Sequence, residues 1–365
     1  MKVCTKCILN DNYPDITFTD EGTCSFCTKE KMYKPLGEDK LLEIIQKTRG
    51  KNGGYDALVP LSGGKDSTYI LHLAVNVFKL RVLTMTYDNG FFSQIALDNI
   101  QKAVEITKVK HILCKPDPEV QKKIYRHMFL HSGDICGACD IGTKANILKV
   151  AHDFSIPMIL YGTSPLEEDS FLPDSIQDIE RFKYILKKAN DLTRKEINDF
   201  LIYPDLNLFL LSFYKKTGKF GKEIRPLFYI DNPTDREMGE IIAKELDWKE
   251  DTSREYSKHF DCIAEPLTNY VRNEIYGYER RICQYSNMVR RNEISREKAL
   301  ELYKADNITS KPDNCQEVLR YLDLTEEDLQ QILTIPKLKY EKHTSKVNKL
   351  FAGLMRMKQV IQAVK

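Results

Sequence analysis

The chain has 365 residues, enough for two or three domains with sizeable cores. Its 55 Lys and Arg against 53 Asp and Glu give a formal net charge of +2, a balance that argues against general nucleic-acid binding but leaves room for a local basic face. No run of 18 apolar residues occurs and the N-terminus lacks a signal-peptide pattern, so a cytoplasmic protein with no membrane partner is expected. In that compartment ten cysteines are metal ligands or reactive thiols before they are disulfides.

Four cysteines come first. Cys4-x2-Cys7 and Cys24-x2-Cys27 stand sixteen residues apart, the spacing of a two-knuckle metal site. Each pair offers two thiolates on one side, and four complete a tetrahedron with no open position, so a structural zinc ribbon is expected over 1–36. A redox or iron–sulfur role is the alternative. Leu41–Thr48 predicts a short amphipathic helix that leads into Gly53-Gly54.

Ala57–Leu61 then reads as a buried strand, broken by Ser62-Gly63-Gly64-Lys65-Asp66-Ser67 and followed by a helical pattern. Two glycines between strand and helix let backbone N–H groups turn inward, and the helix N-terminus adds a positive field. Ser62, Ser67 and Lys65 add hydroxyl donors and a point charge. The block is neither Gly-x-x-x-x-Gly-Lys-Ser/Thr nor Gly-x-Gly-x-x-Gly. It resembles the PP-loop of the ATP pyrophosphatases, which grips the β- and γ-phosphates and leaves the α-phosphate open to a substrate oxygen. On that resemblance Lys65 and Asp66 are catalytic candidates, and Ser62, Gly63, Gly64, Lys65, Asp66 and Ser67 hold ATP.

Leu80–Gly90 predicts a second strand, Ile95–Thr107 a helix, His111–Cys114 a third strand, Ala145–His152 a helix and Ile156–Ser164 a fourth strand. Strands alternating with helices imply an α/β fold, a doubly wound parallel sheet with ligands outside the carboxyl ends of its strands. Loops at 62–67, 86–90 and 162–164 fall there. In the PP-loop family the second and third face adenosine and the α-phosphate, which makes Thr86, Asp88, Gly162 and Thr163 further ATP candidates. A ligand-free Asp-Asn-Gly turn and a plain glycine loop are the bland alternatives.

Cys136-x2-Cys139 is expected just before a helix, where the helix terminus would lower a thiol pKa. Two sulfurs do not complete a metal site, and Cys262 offers a third. Three cysteines near a PP-loop resemble the tRNA thiolation enzymes, in which they hold a 4Fe-4S cluster. The bland alternative is a pair of half-buried cysteines. Cys114, Cys283 and Cys315 read as inert core thiols.

Charged helices follow over 180–202. Thr234 and Glu237 have capping-box spacing for a helix to Leu246, and Trp248 reads as a packing anchor. Beyond residue 251 the pattern is helical. Arg280-Arg281 beside hydroxyl and amide side chains suits a phosphorylated substrate, with a solvated helical face as the alternative. Ser295 and Thr325 are N-caps. The basic stretch 337–365 reads as a packing helix or a homodimer surface. Domains are thus expected at 1–36, 37–232 (the PP-loop, HUP-like domain) and 233–365 (mostly helical).

The opening cysteine block, the Val59–Tyr69 block and the late Arg280-Arg281 to Leu300 block together resemble the N-acetyl sugar amidotransferases of bacterial surface-glycan synthesis, nearly end to end. The resemblance implies ATP with Mg²⁺, adenylylation of an acetamido carbonyl of a nucleotide-sugar substrate, and ammonia from a glutaminase subunit. Cys136, Cys139 and Cys262 depart from that pattern and keep a sulfur transferase open, acting on tRNA or a small molecule with a sulfur donor. A non-catalytic adenine-nucleotide regulator is the third reading.

Overall fold

A computed structural model describes residues 1–28, 34–50, 54–164, 179–205, 210, 213–214, 216–231, 233–251, 261–306 and 309–336. Five parallel strands form one sheet in the order β3-β2-β1-β4-β5: β1 Ala57–Pro60, β2 Val82–Tyr87, β3 Lys110–Cys114, β4 Met158–Leu160 and β5 Lys222–Ile224. Ala57 pairs with Val82 on one side and Met158 on the other, so β1 is central. Alternate residues of β1 face opposite cores, Ala57 and Val59 one way and Leu58 the other. Both faces are therefore buried, as a parallel sheet requires, and the strands read as continuous apolar runs for that reason.

The helices are α1 Glu38–Thr48, α2 Lys65–His72, α3 Gln94–Thr107, α4 Pro118–Ser132, α5 Cys136–Asp153, α6 Ile179–Leu186, α7 Arg194–Leu201, α8 Asp235–Leu246, α9 Glu265–Tyr276, α10 Arg280–Arg290, α11 Arg296–Ala305, α12 Cys315–Tyr321 and α13 Glu326–Leu333. One sheet face is covered by α1, α2, α3 and α8, with Leu41, Ile70, Ile100 and Ile242 in its core. The other is covered by α4 to α7 and by α9, α12 and α13.

Several expectations are corrected here. The helix expected from Ala145 begins at Cys136, so the cysteine pair lies on the helix and not before it. α4 was not foreseen, although Asp117 caps it and Pro118 occupies its first turn. β5 is a three-residue edge strand with no apolar run of its own. α8 keeps its Thr234–Glu237 capping box but packs on the sheet with α2, so a boundary at 232/233 cuts through the nucleotide-domain core. The apolar stretch 203–213 lies partly, and the basic stretch 337–365 wholly, outside the described residues.

The N-terminal cysteine module is not free-standing. Ile8, Leu9 and Tyr13 pack with Tyr276, Tyr278, Ile282 and Met288, so the first 28 residues share a core with α9, α10 and α11. Two antiparallel bridges, Val3 to Asn10 and Phe18 to Cys24, hold the turns around it.

Candidate active site

The chain runs from β1 to β2 and β3 on one side, then returns to β4 on the other side of β1. The crevice between β1 and β4 is therefore the topological switch point, where ligands of such sheets bind. Ser62–Ser67 lies there, running from just past the end of β1 into the first turn of α2. Gly162 lies beside it: a Cβ at Gly162 would come within 2.9 Å of the Asp66–Ser67 backbone. The first and third predicted loops thus meet, and only glycine permits the approach.

The loop is held from within and from outside. Ser67 Oγ accepts from Ser62 N at 3.2 Å and donates to Gly64 O at 3.1 Å. Gly63 has φ +78, and a Cβ there would stand 2.2 Å from Ala96 O, so both the conformation and the packing demand glycine. Its carbonyl accepts from Trp248 Nε1 at 3.0 Å and from Asn99 Nδ2 at 3.2 Å. Gly64 N in turn donates to Ser62 Oγ at 3.3 Å, so the amides that remain for an anion are those of the first turn of α2, where the helix field favours negative charge. Trp248 is the packing anchor expected, and it also orients the loop. Trp248→Phe keeps the packing and removes the hydrogen bond; ATP affinity, read by isothermal titration calorimetry, should fall about 5-fold for about 1 kcal/mol lost.

Lys65 Nζ sits 2.7 Å from Asp66 Oδ1 and 2.7 Å from Asp235 Oδ1. Against the opposing effect of burial, the two carboxylates hold its pKa above the ordinary lysine value, so the charge is permanent. Asp235, at the first turn of α8, was not foreseen. Thr86 is buried and its hydroxyl donates to Leu61 O at 2.5 Å, so it braces the end of β1. Its hydroxyl proton is thus spent on the fold. Asp88 forms the bland turn in part, since its Oδ1 accepts from Gly90 N at 3.1 Å, leaving its second oxygen for a ligand. No contact of Thr163 carries further weight.

Asp261 is the main residue that sequence reading missed. The segment 261–263 runs antiparallel to 91–93, with Ser93 N donating to Asp261 O at 3.2 Å and Ile263 N to Phe91 O at 2.8 Å. This lays the Asp261 carboxylate against the 62–67 loop, 3.4 Å from where a Gly64 Cβ would be. Burial pushes its carboxyl up to about 6, against a hydrogen bond from Ser62 that lowers it. No local pattern announces such a residue, because it comes from nearly 200 positions further along the chain.

Cys262 follows directly and turns toward the other two cysteines, close enough for their charges to act on it. Burial pushes all three thiols up, Cys139 to about 12, where the Cys136 and Cys139 pair was expected to be lowered. The helix N-terminus does not lower Cys136 because Asp134 already caps it: its Oδ1 accepts from Cys136 N at 2.9 Å and pairs with Arg272 at 3.3 Å. The three sulfurs do not fall within 4.8 Å of one another, as the N-terminal four do. That spacing does not suit a single ion, but ligands of separate irons in a cluster sit wider apart.

Arg280 and Arg281 part company. Arg281 is 1% exposed, ion-paired to Glu265 at 3.2 Å and facing Asp306 at 3.9 Å, so the paired phosphate grip is corrected. Arg280 is half-buried and close enough to act electrostatically on Cys136, Asp140 and Asp261.

At the chain's other pole Cys4, Cys7, Cys24 and Cys27 are all buried, with every sulfur within 4.8 Å of the others. Cys4 Sγ to Cys27 Sγ is 3.9 Å and Cys7 Sγ to Cys24 Sγ is 3.7 Å. A tetrahedron with metal–sulfur bonds of about 2.3 Å has edges of about 3.8 Å, so the set fits one tetrahedral ion. Cys24 N and Cys7 N donate to Cys4 Sγ at 3.2 and 3.4 Å, the outer bonds that fix a thiolate. Hydrogen bonding with Cys24 and then Cys27 pulls the Cys7 thiol down, while hydrogen bonding with Cys24 and then Cys7 pushes Cys27 up. Four crowded sulfurs cannot all ionise without a cation among them. Among the described residues no helix is long and apolar enough to cross a membrane.

Residues 250–357 match the family model of the LPS biosynthesis protein WbpG-like, C-terminal domain. The uncharacterized protein MJ1599 of Methanocaldococcus jannaschii is 30% identical over 96 residues, 26% of this chain and 34% of that protein. The match thus spans about a third of that relative's length. Among solved structures, the U34-tRNA thiolase NcsA from Methanococcus maripaludis with its 4Fe-4S cluster is similar at 16% identity and a TM-score of 0.33, over 82% of this chain and 88% of that one. NMN synthetase from Francisella tularensis is similar at 15% identity and a TM-score of 0.28, over 59% of this chain and 86% of that one. Ser62–Ser67 thus stands at the switch point of a five-stranded parallel sheet, and the similarity to the WbpG-like C-terminal domain is confined to residues 250–357.

Proposed function

We propose that the protein is an ATP-dependent N-acetyl sugar amidotransferase of surface-glycan synthesis. The observation that carries this reading is the WbpG-like match over 250–357, a stretch whose Asp261 lies against the PP-loop. The acetamido oxygen of the sugar attacks the α-phosphorus of ATP, and pyrophosphate leaves. A carbonyl oxygen is a poor leaving group; bound to AMP it becomes a good one, and ammonia replaces it to leave an amidine. Loop amides and Lys65 offset charge building on pyrophosphate. Mg²⁺, when bound, neutralises phosphate charge, and Asp66, Asp88 and Asp261 are the carboxylates placed to hold it. Zinc suits the N-terminal sulfur set, and a glutaminase partner would supply ammonia.

The test is incubation with ATP, ammonium and an acetamido sugar labelled with ¹⁸O in its carbonyl. One AMP carrying the label and one pyrophosphate per turnover are expected; ADP as product would sink the reading. Because the Asp261 carboxyl ionises near pH 6, pyrophosphate release should rise with pH through about 6, and Asp261→Asn should flatten that limb. The stability sign is opposite. The folded value lies above the unfolded value of about 3.9, so the wild type should lose stability relative to Asp261→Asn as pH rises from about 4 to about 6, read by thermal melts.

A sulfur transferase is the second reading, favoured by Cys136, Cys139 and Cys262 gathered beside the loop. Metal and sulfide content of protein prepared without air separates the two. Zinc alone supports amidation; iron with acid-labile sulfide supports thiolation.

A further inference from the structure

The turn at 88–90 follows the carboxyl end of β2, the strand beside β1 and its 62–67 loop. Asp88 is held there by three hydrogen bonds. Its N–H donates to Cys114 O at 2.9 Å, its carbonyl accepts from Gln121 Nε2 at 2.9 Å, and its Oδ1 accepts from Gly90 N at 3.1 Å. The fold thus engages both main-chain groups and one carboxylate oxygen, and the second oxygen is left for a ligand.

The turn is also walled by a residue from far along the chain. Gly90 has φ +75, and a Cβ there would stand 2.2 Å from Tyr321 Oη and 2.9 Å from its Cζ. The Tyr321 ring, at the end of α12, lies 4.6 Å from that of Phe91, which stacks at 5.9 Å on Tyr125 of α4. Two residues on, Asp323 has left-handed backbone at φ +52 and pairs with Lys122 at 2.8 Å, next to Gln121. The end of α12 therefore packs on the turn and ties itself to the helix that holds Asp88. It lies within the 250–357 stretch that carries the WbpG-like similarity.

The place of Asp88 says what its open oxygen meets. Where the first strand of a parallel sheet ends in a phosphate loop, a carboxylate at the end of the next strand accepts from the ribose of the bound nucleotide. Asp66 lies in the 62–67 loop and Asp261 against it, whereas Asp88 ends the neighbouring strand. We propose that Tyr321 is a positioning residue for the nucleoside: packed on Gly90, it fixes the turn so that Asp88 accepts from a ribose hydroxyl, and the C-terminal helices thereby select a ribonucleotide. A carboxylate fixed before the ligand arrives loses less freedom on binding. The inference rests on the ATP part of the reading above and not on the acceptor or on ammonia. It leaves Mg²⁺ to Asp66 and Asp261.

The test is calorimetric titration of the full chain with ATP, 2′-deoxy-ATP and 3′-deoxy-ATP, without acceptor or ammonium. ATP should bind about 10-fold or more tighter than at least one deoxy analogue, the worth of one hydrogen bond to a charged acceptor. Tyr321→Leu takes the ring off Gly90 and should reduce that ratio to about 3-fold or less, as the aligned bond is lost. Tyr321→Phe keeps the ring and should hold most of the ratio. A smaller folded fraction would weaken all three nucleotides alike and leave the ratio unmoved. Gly90→Ala disturbs the same contact from the other side and should also lower the ratio, which covers a Tyr321→Leu chain that does not fold. Equal binding of the three nucleotides by the wild type, or an unchanged ratio in either folded variant, would overturn the assignment. The expected ratios without labelled AMP would leave the assignment standing and remove the amidotransferase. Labelled AMP with an unchanged ratio in Tyr321→Leu would do the reverse.

Discussion

Replacing Lys65 by methionine should lower the rate of pyrophosphate release by about 10²–10³-fold, the effect of removing one well-placed charge-stabilising donor. Lys65 is 13% exposed at its side chain and is gripped by Asp66 and Asp235, both at 2.7 Å. The two carboxylates fix the ammonium at the mouth of the loop before any nucleotide arrives, so little reorganisation is needed when charge develops. The substitution also leaves two carboxylates facing each other, and part of the loss will be structural. Lys65→Arg separates the effects: it keeps the charge and most of the stability, but a planar guanidinium cannot occupy the point position of an ammonium between two acids. Steady-state pyrophosphate release with thermal melts on both variants decides. A methionine variant within about 3-fold of wild type would remove Lys65 from the chemistry.

The parts of this site that are local in the chain were legible, and the parts that come from afar were not. Ala57–Pro60, the two glycines and the start of α2 lie within one short stretch, and their pattern alone predicts strand, turn and helix. The same holds for the Thr234 and Thr325 capping boxes and for the paired N-terminal cysteines. Asn99, Trp248 and Asp261 converge on Gly63 and Gly64 from three separate elements, and nothing in their own neighbourhoods points to the loop. Arg281 was misread for a related reason. An arginine pair looks like a phosphate grip until its counter-charges, Glu265 and Asp306, are brought beside it by folding. Cys136 shows a local rule losing to a tertiary one: helix N-termini lower thiol pKa values, but here burial raises the thiol, and the Asp134 carboxylate that takes the terminal amide adds to the rise.

Stripping a metal ion held by the four N-terminal cysteines should loosen the end of α9, α10 and α11 and spare the sheet, whose core takes Leu267 and Val271 of α9. The module and helices α9 to α11 form one core rather than two. Tyr13 stands edge-on to Phe26 at 5.2 Å and to Tyr278 at 5.3 Å. Arg296 donates to the carbonyls of Cys4 and Cys7 at 3.2 and 3.0 Å, and Asn10 donates to Gly277 O at 2.9 Å. Gly277, at φ +71, ends α9 in a left-handed cap where a Cβ would stand 2.2 Å from Asn12. Without a cation the four sulfurs repel as thiolates or lose their outer hydrogen bonds as thiols, and the first 28 residues have too little apolar area to hold a shape alone. The helices then lose a wall of their core. A drop of about 10 °C in their melting transition is expected, from about 3–5 kcal/mol of lost support. Cys4→Ser should reproduce it without chelator. Protease sites from the end of α9 through α11 should open in either case, and sugar turnover should stop. ATP should still bind, because Ser62–Ser67, Gly162 and Trp248 rest on the sheet and on α2, α3 and α8. Hydrogen exchange, read segment by segment, distinguishes the outcomes: protection lost from the end of α9 through α11 and kept over 57–107 supports a shared core at the chain's two ends, whereas loss confined to the first 28 residues would make the module an appendage.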